Sequence, residues 1–198
     1  MNKPILMFDL GGVIENHNFF DMSKFISKVY CVDSKEFHNK MIDLLRLNDE
    51  NKITDLQFIS KLNDYFGLNF TLESFYKIYF RFIKTDNNML SFIKKLSKNY
   101  KIALFSNTRK IHLKESERRW KVKSVFGYVF ISQNYSMRKP ELRYYKLVLE
   151  KMKVKGSDVI FIDDKERNFP PADKLGIKCI KYTNLTNLKK ELKKLNIF

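Results

Sequence analysis

The chain has 198 residues, 44% of them hydrophobic and 15% aromatic, which suffices for a full core and argues against disorder. Its formal charge of +16 favours anionic partners. That surplus is mostly lysine spread along the chain without a nucleic-acid motif, so small phosphorylated molecules are expected rather than nucleic acid. Cys31 and Cys179 form no metal-spaced pair, and a reduced, cytoplasmic protein is the expectation.

Residues 5–14 form a near-continuous apolar run interrupted by Asp9 and by the pair Gly11-Gly12. Such a run fits a strand buried on both faces of a parallel sheet, and neither a signal peptide nor a membrane helix fits it. Asp9 would then stand beyond the strand's carboxyl end, where ligands of such sheets bind. The glycines would let the backbone approach an ion or a phosphate closely.

From Val13 to about Lys84 apolar residues recur at three and four, predicting helices over 19–30, 34–47, 54–66 and 71–84. Ser34, Thr54 and Thr71 are the expected caps, with a full capping box only at Thr54-Asp55-Leu56-Gln57. The last helix carries Phe75, Tyr76, Tyr79, Phe80 and Phe82, which read as core packing ahead of a pocket lining.

A helix over 86–98 follows, then strands over 101–105, 128–131, 159–162 and 178–182, with a further helix after Pro140. Strands alternating with helices predict a doubly wound parallel α/β sheet, because parallel strands need crossover connections. The expected division is an α/β core of residues 1–15 and 86–198 with an inserted α-helical cap of 16–85. Leu185, Leu188, Leu192 and Leu195 share one side of a lysine-rich terminal helix, which reads as docked on the core rather than on a membrane.

Asp9, Ser106, Lys139 and the pair Asp163-Asp164 follow core elements in order. Parallel strands bring their carboxyl ends to one edge, so these distant residues should converge on one crevice. Three carboxylates there require counter-charge. Lys139 supplies part, and a hard divalent cation such as Mg2+ supplies the rest. A transferred phosphoryl group suits that surrounding, its oxygens met by the cation, Lys139, the Ser106 hydroxyl and N–H groups near Asn107, with Asp9 attacking phosphorus.

Asp9-Leu10-Gly11-Gly12-Val13, Ser106-Asn107-Thr108, Arg138-Lys139-Pro140 and Phe161-Ile162-Asp163-Asp164 resemble, in order, the four motifs of the haloacid dehalogenase-like hydrolases. The stretch Asp163-Asp164-Lys165-Glu166-Arg167-Asn168 and the following Pro171-Ala172-Asp173-Lys174-Leu175-Gly176 are similar to the branch holding bacterial sugar-1-phosphate phosphatases and the phosphatase domain of epoxide hydrolases. The resemblance implies a Rossmann-like core with a first-type helical cap and a phospho-aspartate at Asp9. By motif match it implies Mg2+ on the Asp9 carboxylate, the Gly11 backbone carbonyl and Asp164, with Asp163 reached through water. Ser106 and Lys139 would bind the phosphoryl oxygens, and Asn107 and Thr108 would orient phosphate or substrate.

One position departs from the pattern. Phosphatases of this superfamily carry a second aspartate two residues after the nucleophile as general acid and base, and this chain has Gly11 there. Three readings stay open: a substrate whose leaving group needs little protonation, such as a hexose 1-phosphate; a substitute group among Glu15, His17 and Asp163; or phosphate-ligand binding without efficient turnover. A 2-haloacid dehalogenase also lacks that aspartate, but the retained Asp163-Asp164 pair argues for a metal and against it.

Overall fold

The protein, described over residues 3–197 by a computed structural model, is built on a five-stranded parallel sheet. In chain order the elements are β1 (Ile5–Phe8), β2 (Glu15–His17), α1 (Phe19–Tyr30), α2 (Ser34–Asp49), α3 (Asp55–Phe66), α4 (Leu72–Arg81), β3 (Ile83–Thr85) and α5 (Asn87–Leu96). There follow β4 (Ile102–Ser106), α6 (Lys110–Trp120), α7 (Val122–Val125), β5 (Tyr128–Ile131), α8 (Ser132–Tyr135) and α9 (Leu142–Met152). The chain continues through β6 (Val159–Asp163), α10 (Phe169–Asp173), β7 (Lys178–Lys181) and α11 (Leu185–Lys194).

Strand order is β5-β4-β1-β6-β7, so β1 is central and the chain reverses direction across the sheet between β1 and β6. All four of Ile5 to Phe8 are apolar because both faces of β1 are covered. Leu6 and Phe8 join the layer of α5 and α11, while Ile5 and Met7 join the layer of α9. Each large side chain buried this way contributes about 1.5–3 kcal/mol. Leu188 and Leu192 are buried against the first layer, with Leu185 and Leu195 partly so, which places the terminal helix on the core as expected. Among the described residues no helix is long and apolar enough to cross a membrane.

Helices α1 to α4 surround their own apolar cluster, to which Phe75, Tyr76 and Tyr79 belong. Several local details differ from expectation. Asp33, not Ser34, caps α2, accepting from the Glu36 N–H at 2.7 Å. Thr71 and Ser74 form a second reciprocal capping box, since a serine hydroxyl also reaches the cap N–H, at 2.9 Å. Helix α4 stops at Arg81 rather than continuing to Lys84, because residues 83–85 pair antiparallel with 15–17. This two-stranded ribbon carries the chain out to α1–α4 and back, with β2 straddling the first expected domain boundary and β3 ending at the second. Two short helices after Trp120 and Ile131, and α10, were too brief for periodicity to show.

The ribbon is fastened to α6 through Glu15, which is 1% exposed. Its Oε1 accepts from Ser116 Oγ at 2.8 Å and Trp120 Nε1 at 3.0 Å, and its Oε2 faces His112 Nε2 at 2.6 Å. Burial would raise the Glu15 carboxyl, but these partners outweigh it and hold it well below the usual range. Burial pushes the His112 imidazole down to about 4, so it is neutral at pH 7 and donates to the carboxylate. As pH falls below about 6.5 the unfolded chain binds a proton at His112 that the folded chain refuses until about 4. Glu15 adds to the loss below its unfolded pKa near 4.5. Burial pushes the Asp49 carboxyl up to about 6, which works in the opposite direction over much of this range. The readout is therefore a difference: the melting temperature of the wild type relative to His112→Asn should be flat above pH 6.5 and fall between pH 6.5 and 4. Glu15→Ala should cost about 3–5 kcal/mol in urea unfolding at pH 7, because it leaves the buried donors of His112, Ser116 and Trp120 without their shared acceptor.

Candidate active site

The carboxyl ends of β1, β4 and β6 meet at the reversal point between β1 and β6 and carry Asp9, Ser106 and Asp163. The register pairs Phe8 with both Leu104 and Ile162, so Asp9, just after β1, and the last residues of β4 and β6 lie at one edge of the sheet. Lys139 arrives from the loop before α9. Its backbone N–H donates to Asn107 Oδ1 at 2.8 Å, and its carbonyl accepts from Asn107 Nδ2 at 2.9 Å. Asn107 thus holds the lysine's backbone rather than presenting its amide freely. The Lys139 ammonium, 1% exposed, lies 3.0 Å from Asp9 Oδ1 and 2.6 Å from Asp163 Oδ2.

The two aspartates after β6 differ in role. Asp163 is fully buried; besides Lys139 it accepts from the Lys165 N–H at 2.7 Å and from Asn168 Nδ2 at 2.8 Å. Burial alone would raise its pKa, but the Lys139 charge and these donors hold it below the ordinary range. Asp164 is raised instead, by burial first and then by the charges of Asp9 and Asp163. Its Oδ1 is buried without a hydrogen-bond partner. Oxygens of Asp9, Asp163 and Asp164 come within 4.8 Å of one another. Gly12, at φ +82°, leaves open a space that a Cβ would fill by overlapping the Asp164 carboxylate. An all-oxygen, electron-rich set with an orphaned carboxylate oxygen is what a hard divalent cation takes.

A cavity of about 310 Å³ opens over these residues. Asp9, Gly11, Ser106, Asn107, Thr108 and Lys139 line it, so six of the residues expected from the sequence face one space. Asp163 and Asp164 stand beside it rather than on its wall. His17 also lines it, with its ring over Gly11: a Cβ at position 11 would lie 3.0 Å from His17 Cε1. His17 Nε2 has no hydrogen-bond partner, and Glu15 Oε2 is 3.7 Å away. Glu15 faces α6 and not the cavity.

Several lining residues went unread in the sequence. Arg46 and Asp49 come from α2, Arg109 precedes α6, and Arg138 and Arg167 flank the site's loops. Arg109 bridges from the core to α2 and α4, donating to Asp49 Oδ1 and to the Tyr79 hydroxyl, each at 2.7 Å. Tyr79 therefore serves both roles weighed for its helix, packing in the cap cluster and edging the cavity. The signal available was compositional: arginine is scarce in this chain, and its positions carried information that the abundant lysines did not.

Comparison with known proteins gives the following. The haloacid dehalogenase-like hydrolase family matches residues 6–182. The sesquiterpene phosphatase astK of Aspergillus oryzae is 29% identical over 118 residues, 57% of this chain and 58% of that protein. Bifunctional epoxide hydrolase 2 of Rattus norvegicus is 35% identical over 69 residues, which span 35% of this chain and only 12% of that protein. Among solved structures, a haloacid dehalogenase family enzyme of Bacteroides thetaiotaomicron, in complex with magnesium and inorganic phosphate, superposes with a TM-score of 0.84 at 24% identity, covering 94% of this chain and 99% of that one. The L-2-haloacid dehalogenase of Xanthobacter autotrophicus superposes with a TM-score of 0.66 at 16% identity, covering 100% of this chain and 85% of that one. Both structural likenesses establish the fold.

Gly12 provides a test of the cation set. Gly12→Ala should abolish divalent-cation affinity measured by calorimetry, since its Cβ would displace Asp164, while the far-ultraviolet circular dichroism stays native. Retained affinity would remove Asp164 from the set.

Proposed function

The chain belongs to the haloacid dehalogenase-like hydrolases, and from that membership we propose that it is a magnesium-dependent phosphatase of a small phosphorylated metabolite. The observation that carries this reading is the Lys139 ammonium spanning Asp9 and Asp163, with Asp164 alongside, whose buried Oδ1 accepts no hydrogen bond and has Lys165 Nζ at 3.9 Å. Such a site holds the Asp9 carboxylate in place while leaving a cation-sized concentration of negative charge next to it. The phosphatase relative and the magnesium and phosphate of the Bacteroides structure support the same chemistry.

In this reading an Asp9 carboxylate oxygen attacks phosphorus, forming the acyl–phosphate bond as the bond to the substrate oxygen breaks. Water then attacks the phospho-aspartate, releasing inorganic phosphate and restoring Asp9. The Ser106 hydroxyl, the Lys139 ammonium and the Asn107 backbone N–H hold the transferring oxygens, while the Thr108 N–H is engaged by Ser132 Oγ at 3.0 Å. Magnesium would be held by the Asp9 carboxylate, the Gly11 carbonyl and Asp164, with Asp163 through water, and would supply Lewis-acid neutralisation of the phosphoryl oxygens. Residues 16–85 would act as the cap that closes over residues 1–15 and 86–198.

His17 is the side chain offered to the leaving oxygen, because it lines the same cavity as Asp9 and its ring lies over Gly11, where a side chain at position 11 would stand. The small, polar-walled cavity favours a sugar-sized body, such as a hexose 1-phosphate, over a terpenyl chain.

The purified protein should release phosphate from a sugar-phosphate panel only with Mg2+. Asp9→Asn should give no turnover, and Lys139→Ala should lower kcat about 10²–10³-fold. His17→Ala should slow alkyl phosphates more than aryl phosphates, whose leaving groups need less protonation. Turnover that survives chelation or Asp9→Asn would overturn the reading. Magnesium-dependent phosphate binding without turnover would favour a ligand-binding member, and metal-free halide release from chloroacetate a dehalogenase.

A further inference from the structure

The sequence holds thirty lysines and only eight arginines, yet four of those eight, Arg46, Arg109, Arg138 and Arg167, line the one cavity that contains Asp9. Half of the guanidinium groups thus gather at this cavity, while Arg81, Arg118 and Arg119 line a separate groove between α4 and α6. Arginine differs from lysine in presenting a planar fork of donors matched to carboxylate and phosphate.

The four are not equivalent. Arg109 is occupied by Asp49 and Tyr79, as described above. Arg46, Arg138 and Arg167 converge from α2 and two core loops. Glu50, just beyond α2, is their shared counter-ion: Arg46 Nε and Arg138 Nε each lie 3.3 Å from its Oε1, while Lys52 takes Oε2. Three cations thus divide one carboxylate. Arg167 makes no ion pair among the described residues. Arg138 Nε is buried without a hydrogen bond. Burial first, then the charges of Arg46 and Arg167, lower the Arg138 pKa against the opposing carboxylates of Glu50 and Asp49. Asp43 is an acid on this wall, and it stands against Arg46, Arg138, Arg167 and Lys165.

Depth separates this group from the reacting centre. Side-chain exposure is 6% at Asp9 and 1% at Lys139, but 19% at Arg138 and 63% at Arg46. The floor carries the phosphoryl chemistry, and the rim carries two guanidinium groups that share the Glu50 carboxylate with Lys52 and a third, Arg167, that pairs with none among the described residues. In a cavity of about 310 Å³ the two lie within the span of one small molecule.

We infer that the rim of Arg46, Arg138 and Arg167 is a subsite for a second anionic group, so that the substrate is a compact phosphomonoester whose body bears a carboxylate or another phosphate. This rests on the phosphatase reading for the reaction, but the recognition itself stands on the arginine geometry.

The test uses two pairs of ligands that differ chiefly in that second charge: 3-phosphoglycerate against glycerol 3-phosphate, and glucose 1,6-bisphosphate against glucose 1-phosphate. Wild-type kcat/KM should favour the doubly anionic member of a pair by about 10- to 100-fold, the worth of a charge-assisted hydrogen-bonded contact. The preference should shrink as salt rises. Arg46→Gln with Arg167→Gln, both at exposed positions, should cut the preference ratio at least about tenfold. The same pairs are then measured by calorimetry on Asp9→Asn with Mg2+. Selective binding of the doubly anionic ligand without turnover by the wild type would overturn the phosphatase reading and uphold the subsite. Turnover with no preference, or equal loss on both members in the arginine variant, would overturn the subsite and leave the phosphatase reading standing.

Discussion

The arrangement depends on one buried ammonium. Asp9 and Asp163 approach each other because β1 and β6 are adjacent parallel strands with aligned ends, and two carboxylates so placed would repel or take up protons. Lys139 between them, at 3.0 and 2.6 Å, turns that conflict into a fixed geometry. A buried lysine also needs its partners, since an unpaired charge in the interior costs several kcal/mol. The three groups therefore hold one another in place. Asn107 sets the lysine's backbone, Asn168 and the Lys165 N–H satisfy the rest of Asp163, and Tyr145 holds Asn168 through its carbonyl at 2.7 Å. The hydrogen bonds of the loops after β4 and β6 thus converge on the same ammonium.

Asp164 is left out of this settlement. Its neighbour Asp163 has both oxygens engaged, whereas Asp164 keeps a buried oxygen without a donor and a raised pKa. The division explains why two adjacent aspartates are needed: one orients Lys139 and the other remains available. Gly12 belongs to the same device, because only a residue without a Cβ leaves room for that carboxylate.

The sheet and the floor of the site were legible because burial on both faces forces strands such as Ile5–Phe8 and Ile102–Ser106 to be apolar throughout, so a polar residue at their ends stands out. The rim was not. Arg46 and Asp49 occupy α2 three residues apart, and in sequence they read as a solvated helical face. Only the docking of α2 over the sheet edge, secured by Arg109 to Asp49, turns that face inward. The β2–β3 ribbon escaped for a similar reason. Three residues per strand give no period, and Glu15 looks like a surface residue until His112, Ser116 and Trp120 arrive from nearly a hundred positions away.

The ribbon also bears on the residue the family pattern lacks. Gly11 and His17 are six positions apart, and the turn into β2, closed by the Gly12 N–H to Glu15 carbonyl bond at 2.8 Å, folds the imidazole back over the glycine. A side chain at position 11 and the ring of His17 compete for one volume, since the contact would be 3.0 Å. Glycine there leaves the ring its place over the turn, and any side chain at position 11 would press on it. The coupling reaches further, because His17 is carried by the strand that Glu15 anchors to α6. The fastening that holds the ribbon to the core also fixes how far a polar group stands from Asp9, so stability of the junction and chemistry at the cavity floor share the same buried carboxylate.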